Sequence, residues 1–101
     1  MTFEELEVAV KQWGIDKGIM AKSDSKSQLL KTVSEIGELA DGINKKDREE
    51  TVDALGDVVV TLILLCEMEK LSLTECLESA YNVIAKRKGS MVNGVFVKEE
   101  A

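Results

Sequence analysis

The sequence predicts an all-α domain, four amphipathic helices followed by a short C-terminal β-hairpin, on three observations. The chain has no Pro, 4% aromatic, 45% hydrophobic and 32% charged residues, a composition of helix-rich globular chains. Apolar residues recur at three- and four-residue spacing through most of it. Near the end, Asn93-Gly94 sits between the short apolar runs Met91-Val92 and Val95-Phe96-Val97, the strongest short hairpin signal a sequence offers. At 101 residues we expect one domain, residues 1–101, whose thin core favours added burial through assembly as an oligomeric helical bundle.

The first helix spans Thr2 to about Gly18. Phe3, Leu6, Val10 and Trp13 lie at helical spacing, and Thr2 with Glu5 forms a capping box. The second, Ser27 to Ile43, places Leu29, Val33, Ile36, Ala40 and Ile43 on one stripe read as packing, with Ser23, Asp24 and Ser25 as candidate caps and Gly42 and Asn44 as a break. The third begins at Lys46 or Asp47 and runs to about Lys70, apolar on nearly every side from Val58 to Cys66, which predicts enclosure by neighbours. The fourth starts after Ser72, with Thr74 another candidate cap, and uses Leu77, Ala80, Tyr81 and Ile84 as its apolar face. It ends near Lys88-Gly89, Gly89 serving as the stop. Met68 and Met91 are read as packing.

A net charge of −6 and a pI near 4.7 argue against a nucleic-acid polymer or an anionic membrane as partner, since both would be repelled. Cys66 and Cys76 form no CxxC, and no signal peptide is visible, so a reducing cytoplasm is expected. The run Val58 to Cys66 is too short to span a bilayer, which needs about 20 apolar residues.

Burying a carboxylate without a partner is costly, which gives the acids beside this apolar segment their interest. On the second helix Gln28, Lys31, Glu35 and Glu38 form a stripe adjoining the apolar one. On the third, Glu50, Asp53 and Asp57 fall within an arc of about 60° that runs on into Thr61 and Leu64. Antiparallel packing of the two helices would gather four or five carboxylates, a cluster that repels itself unless cations fill it. Oxygen ligands in a chain without histidine point to Mg²⁺, with Mn²⁺ as a substitute. A Glu pair three apart is ordinarily a solvated face; Asp57, flanked by Leu55, Val58, Val59 and Val60, is not easily read that way. Asp47, Glu49, Glu67, Glu69, Glu75 and Glu78 are assigned to solvent.

The segments QLLKTVSEIGELADGI and DALGDVVVTLILL, separated by a break containing Asp47-Arg48-Glu49, resemble the MazG-like all-α nucleoside triphosphate pyrophosphohydrolases. Trp13 upstream, Tyr81-Asn82 and Lys86-Arg87-Lys88-Gly89 downstream, and the ending NGVFVKE, similar to small phage-like members, extend the resemblance over nearly the whole chain. The family pattern is Glu-x-x-Glu on one helix and Glu-x-x-Asp on the next. Glu35, Glu38 and Asp57 match it; Ala54 stands where the pattern has Glu, leaving Asp53 or Glu50 as the fourth ligand.

The resemblance implies Mg²⁺-dependent hydrolysis of a nucleoside triphosphate, ribo- or deoxy-, to the monophosphate and pyrophosphate by water attack on the α-phosphorus. Glu35 or Glu38 would serve as base. Lys86, Arg87 and Lys88 would meet phosphate oxygens, though basic residues also complement a helix C-terminus. The resemblance favours Asn82 for the nucleotide site and Lys31 for a phosphate or supporting contact, with Gln28 on the same stripe. Trp13 is a candidate for stacking on the base, core packing being the alternative. Family members are dimers or tetramers, so a homodimer or homotetramer with a site partly between subunits is expected. The rival readings are a non-catalytic helical interaction module, whose acids only solubilise, and a metal-dependent hydrolase of another phosphorylated substrate.

Overall fold

A computed structural model describes residues 1–99. In chain order it contains α1 (Phe3–Asp16), α2 (Ile19–Lys22), α3 (Ser25–Asn44), α4 (Arg48–Met68), α5 (Leu73–Ile84) and the antiparallel strands β1 (Gly89–Val92) and β2 (Val95–Lys98). The all-α class with a terminal hairpin is as the sequence predicts.

Side-chain caps start the four long helices, each satisfying a backbone N–H that the first turn leaves unpaired. Thr2 accepts from Glu5 N while the Glu5 carboxylate accepts from Thr2 N, completing the capping box. Asp24 accepts from Ser27 N at 2.8 Å, Asp47 from Glu50 N at 3.1 Å and Ser72 from Glu75 N at 3.3 Å. Asp24 therefore starts the second long helix at Ser25, two residues before its expected Ser27. The single turn α2 was not expected from the sequence.

The α3–α4 hairpin is the centre of the fold. Gly42 packs beside Thr51, Gln28 bonds to Thr61, and the Ser25 hydroxyl reaches the Glu69 carboxylate, so the helices run antiparallel. Gly42 does not break α3, which continues to Asn44; it lies buried inside the helix, where a Cβ would press within 3.1 Å of the Thr51 backbone nitrogen. A small residue is needed there for close helix approach. The chain leaves the helix at Lys46, whose φ is +57°.

The face that α3 turns inward is not the apolar stripe. Gln28, Thr32, Glu35 and Gly42 are buried against Ala54, Thr61 and Leu64 of α4, while Leu29, Val33, Ile36 and Ile43 are each about half exposed. Small and polar residues let the two backbones approach, and the apolar stripe is left on the flank. Helical rotation puts the exposed Leu55 of α4 on that same flank. The other expected packing faces are also open: Phe3, Leu6, Leu77, Tyr81, Ile84 and Met91 are exposed, and among the described residues the buried hydrophobic set is Ala54, Ile63 and Leu64. From Val58 to Val60, α4 is half-buried rather than enclosed. The radius of gyration, 16.1 Å, exceeds the roughly 13 Å of a compact domain this long.

α5 is anchored from α1. Leu73 N and Thr74 N donate to Glu7 Oε2 at 3.0 and 3.3 Å, and Thr74 Oγ1 donates to Glu7 Oε1 at 3.2 Å. The buried Glu7 thus acts as a cap supplied from another helix. α5 ends at Ile84, short of the expected Lys88. Gly89 is no helix stop but the first residue of β1, paired with Lys98; a Cβ there would run into the Val97 carbonyl and the Phe96 ring. Asn93 and Gly94, at φ +50° and +81°, form the two-residue turn, whose twist matches that of the flanking strands.

Candidate active site

The acids sit on the flank of the α3–α4 pair opposite the apolar stripe. Glu35 is 6% exposed. Its Oε1 meets Lys31 Nζ at 3.0 Å, one helical turn away, while Oε2 is buried with no hydrogen-bond partner. Gln28 Nε2 donates to the Thr61 carbonyl at 3.1 Å, Thr32 Oγ1 to the Gln28 carbonyl at 3.1 Å and Thr61 Oγ1 to the Val58 carbonyl at 2.7 Å. The first of these bonds ties α3 to α4 and the other two satisfy hydroxyls within their own helices, leaving Glu35 as the unsatisfied member.

Across from Glu35, Asp57 is half-buried on α4. A cavity of about 210 Å³ lies between them, lined by Trp13 and Ile19, by Gln28, Lys31 and Glu35, and by Asp57, Val60, Thr61 and Leu64. Charged side chains stand on both helices, with Trp13, Ile19 and Val60 as apolar lining beside them.

The carboxylates perturb one another. The Lys31 hydrogen bond, opposed by burial, holds Glu35 below its usual range. Glu38 is pushed up by the neighbouring Glu35 carboxylate, first because its protonated form can hydrogen-bond to Glu35 and then because of the Glu35 charge. Asp57 is pushed up by burial first, then by the charges of Asp53 and Glu35. Lys31 is raised by its bond to Glu35, with Glu38 and Asp57 adding to the effect.

Of the residues singled out from the sequence, the fold brings together Trp13, Gln28, Lys31, Glu35 and Asp57 at the cavity, with Glu38 and Asp53 within electrostatic reach. Glu50 is half-buried one turn before Asp53, and its N–H is taken by the Asp47 cap. Asn82, Lys86, Arg87 and Lys88 are exposed and contribute nothing to the cavity lining. Among the described residues no three His, Cys, Asp or Glu side chains converge tightly enough, as placed, to form a metal cage. Instead the Lys31 ammonium holds one Glu35 oxygen. Three acids reasoned to be in solvent have partners: Asp47 caps α4, Glu67 meets Lys11 at 3.4 Å and Glu69 meets Ser25. Sequence reasoning missed Ile19 as a wall of the cavity, because nothing in a four-residue helix signals where it packs. It also missed Glu7, which carries no local signature.

Comparison with known families gives the class of protein to which this helical chain belongs. This chain belongs to the MazG nucleotide pyrophosphohydrolase domain family, whose model matches residues 23–92. It is also 28% identical over 64 residues to an uncharacterized 18.2 kDa protein in the rep-hol intergenic region of Haemophilus phage HP1 (strain HP1c1). That match covers 63% of this chain and 39% of the phage protein, so the chain spans about two fifths of that relative's length. No solved structure matches the chain. Among the described residues no helix is long and apolar enough to cross a membrane.

Proposed function

We propose that this chain hydrolyses a nucleoside triphosphate, ribo- or deoxy-, to the monophosphate and pyrophosphate with Mg²⁺ bound, Mn²⁺ substituting. The observation that carries this reading is the buried, unpartnered Glu35 Oε2 in a cavity that Asp57 lines from the facing helix and that has apolar lining beside the charges. A buried carboxylate oxygen without a donor is costly, and a hard divalent cation satisfies it. Glu35, Glu38 and Asp57 would hold the ion, with Asp53, closer in electrostatic terms than Glu50, completing the set. The bound ion would neutralise triphosphate charge and promote attack by water.

The chain's own residues would do the rest. Glu38, exposed and poised to take up a proton, suits the base that receives one from the attacking water; Glu35, held low by Lys31, suits a ligand. Trp13 and Val60 offer an apolar surface for the nucleobase. Lys31 would turn from Glu35 to a phosphate oxygen once a cation takes its place.

We also propose that the chain self-associates as a homodimer or homotetramer. The half-exposed stripe on α3, the small buried core and the extended shape support it, because apolar faces of this extent on a small chain mark association surfaces. The rival reading, an interaction module without chemistry, accounts for that stripe but not for Glu35.

³¹P NMR of a panel of NTPs and dNTPs incubated with the protein and Mg²⁺ tests the reading. Pyrophosphate and monophosphate appearing together support it. Stepwise orthophosphate, or no turnover of any nucleotide, rejects it.

A further inference from the structure

Beside the acidic cavity lies a second concavity of opposite character. This open groove, about 430 Å³, is lined by Lys17, Lys22 and Lys31 with the hydroxyl-bearing Ser23 and Ser27, and no acidic residue lines it. In a chain with 19 acids and 13 bases, three lysines without an acid among them form a local exception to the overall charge. The groove and the cavity are continuous in their walls: Ile19, Gln28 and Lys31 line both.

The backbone brings these lysines together from three elements. Lys17 closes α1, Gly18 turns the chain at φ +81°, and Lys22 ends α2, so the two lysines flank one helical turn. Asp24 then starts α3, which delivers Ser27 and Lys31 to the same groove. Among the described residues the ion pairs are Lys11–Glu67 and Lys31–Glu35; Lys17 and Lys22 are in neither. A lysine at a helix end complements the helix dipole, which accounts for each of the two singly. It does not account for their convergence with Lys31.

We propose that the Lys17–Lys22–Lys31 groove binds the trailing β- and γ-phosphates of a nucleoside triphosphate whose α-phosphate lies by Glu35 and Asp57. This deepens, and rests on, the nucleotide reading of the neighbouring cavity. The two concavities form one bipolar trough. Acids at one end suit the reacting centre and its cation; cations and hydroxyls at the other suit phosphate oxygens, which take charge-assisted bonds from lysine. Lys31 stands at the junction, where it bridges the acid end and the phosphate end. The groove makes the chain selective for polyphosphate length, since a monophosphate would leave Lys17 and Lys22 without a partner.

The chain's one tryptophan, Trp13, lines the adjoining cavity and reports on occupancy. Its fluorescence is titrated with inorganic tripolyphosphate, pyrophosphate and orthophosphate, without nucleotide or metal, in wild type and in the Lys17→Ala/Lys22→Ala double variant. A Lys45→Ala/Lys46→Ala variant, altered equally in charge at the far end of α3, is the control. The proposal expects affinity to fall in the order tripolyphosphate, pyrophosphate, orthophosphate, and tripolyphosphate binding to weaken about tenfold or more in the first variant only. Equal weakening in both variants, or no tripolyphosphate binding by wild type, overturns it. In parallel, if wild type releases pyrophosphate from a nucleotide, the groove variant should raise KM with kcat little changed; an unchanged KM overturns the groove and leaves the hydrolase reading standing. Tripolyphosphate binding with the expected loss, from a protein that turns over no nucleotide, upholds the groove and removes the hydrolase.

Discussion

Lys31 and Glu35, one turn apart on α3, form a contact that satisfies only half of the buried carboxylate: Nζ meets Oε1 at 3.0 Å and Oε2 is buried without a hydrogen-bond partner. Because Lys31 is largely exposed and Glu35 is not, the lysine can leave the pair at little cost while the glutamate cannot leave the interior. A divalent cation binding the folded state should therefore stabilise it. We expect millimolar Mg²⁺ to raise the melting temperature by several degrees beyond a KCl control of equal ionic strength, and Glu35→Gln to abolish the difference. Equal responses to the two salts would remove the cation from Glu35.

The acids also set a pH signature for the metal-free protein. Asp57 and Glu38 are raised above their ordinary values of 3.8 and 4.5, by burial and by the Glu35 contact respectively, so the folded state takes up protons before the unfolded one. Stability should then rise as pH falls from neutrality toward those raised values. Glu35, Glu5 and Asp24 are lowered, each by its hydrogen bonds, and the stability they give is lost as pH falls through their folded values. Urea unfolding with EDTA present should show an optimum on the acid side of neutrality, and Asp57→Asn should flatten the upper limb. A metal-free profile that climbs steadily to pH 7 would contradict the crowding of charge described here.

Glu7 gives a prediction about the far end of the fold. Its three hydrogen bonds fix the start of α5, and no residue of α5 is buried. Glu7→Ala should cost about 1–2 kcal/mol, and hydrogen exchange should speed up first at Leu73 and Thr74. Unchanged protection at those two amides would show that α5 is held by something else.

Much of this was legible because helical geometry is regular. The spacing of Glu35, Glu38 and Asp57 placed them on facing stripes, the capping residues marked helix starts to within two positions, and Asn93-Gly94 identified the hairpin. What the spacing did not reveal is which stripe of α3 turns inward. Leu29, Val33, Ile36 and Ile43 read as a core face, yet the close α3–α4 approach selects Gln28, Thr32, Glu35 and Gly42, whose small or polar side chains fit between two backbones. Nor does the sequence say where an element points once the chain turns. Lys86, Arg87 and Lys88 looked suited to phosphate but lie away from the cavity, whereas Lys17 and Lys22, unremarkable in the sequence, are carried to its edge by the turn at Gly18.

The exposed stripe makes its own prediction. Ile36 is 49% exposed, so a charge there would not disturb the described chain, but it would be buried by a second copy. Ile36→Asp should leave the helical circular dichroism intact and shift sedimentation from an oligomer to a monomer. A wild type that sediments as a monomer would refute self-association through this flank.

The account stands most directly on pyrophosphate release from a nucleoside triphosphate by wild type measured beside Asp57→Asn and Glu38→Gln, all three confirmed as folded. We predict release by wild type that depends on Mg²⁺ and falls by at least about a hundredfold in each variant. Release that persists in both variants, or is absent from the wild type, would contradict the assignment of these acids to a triphosphate site.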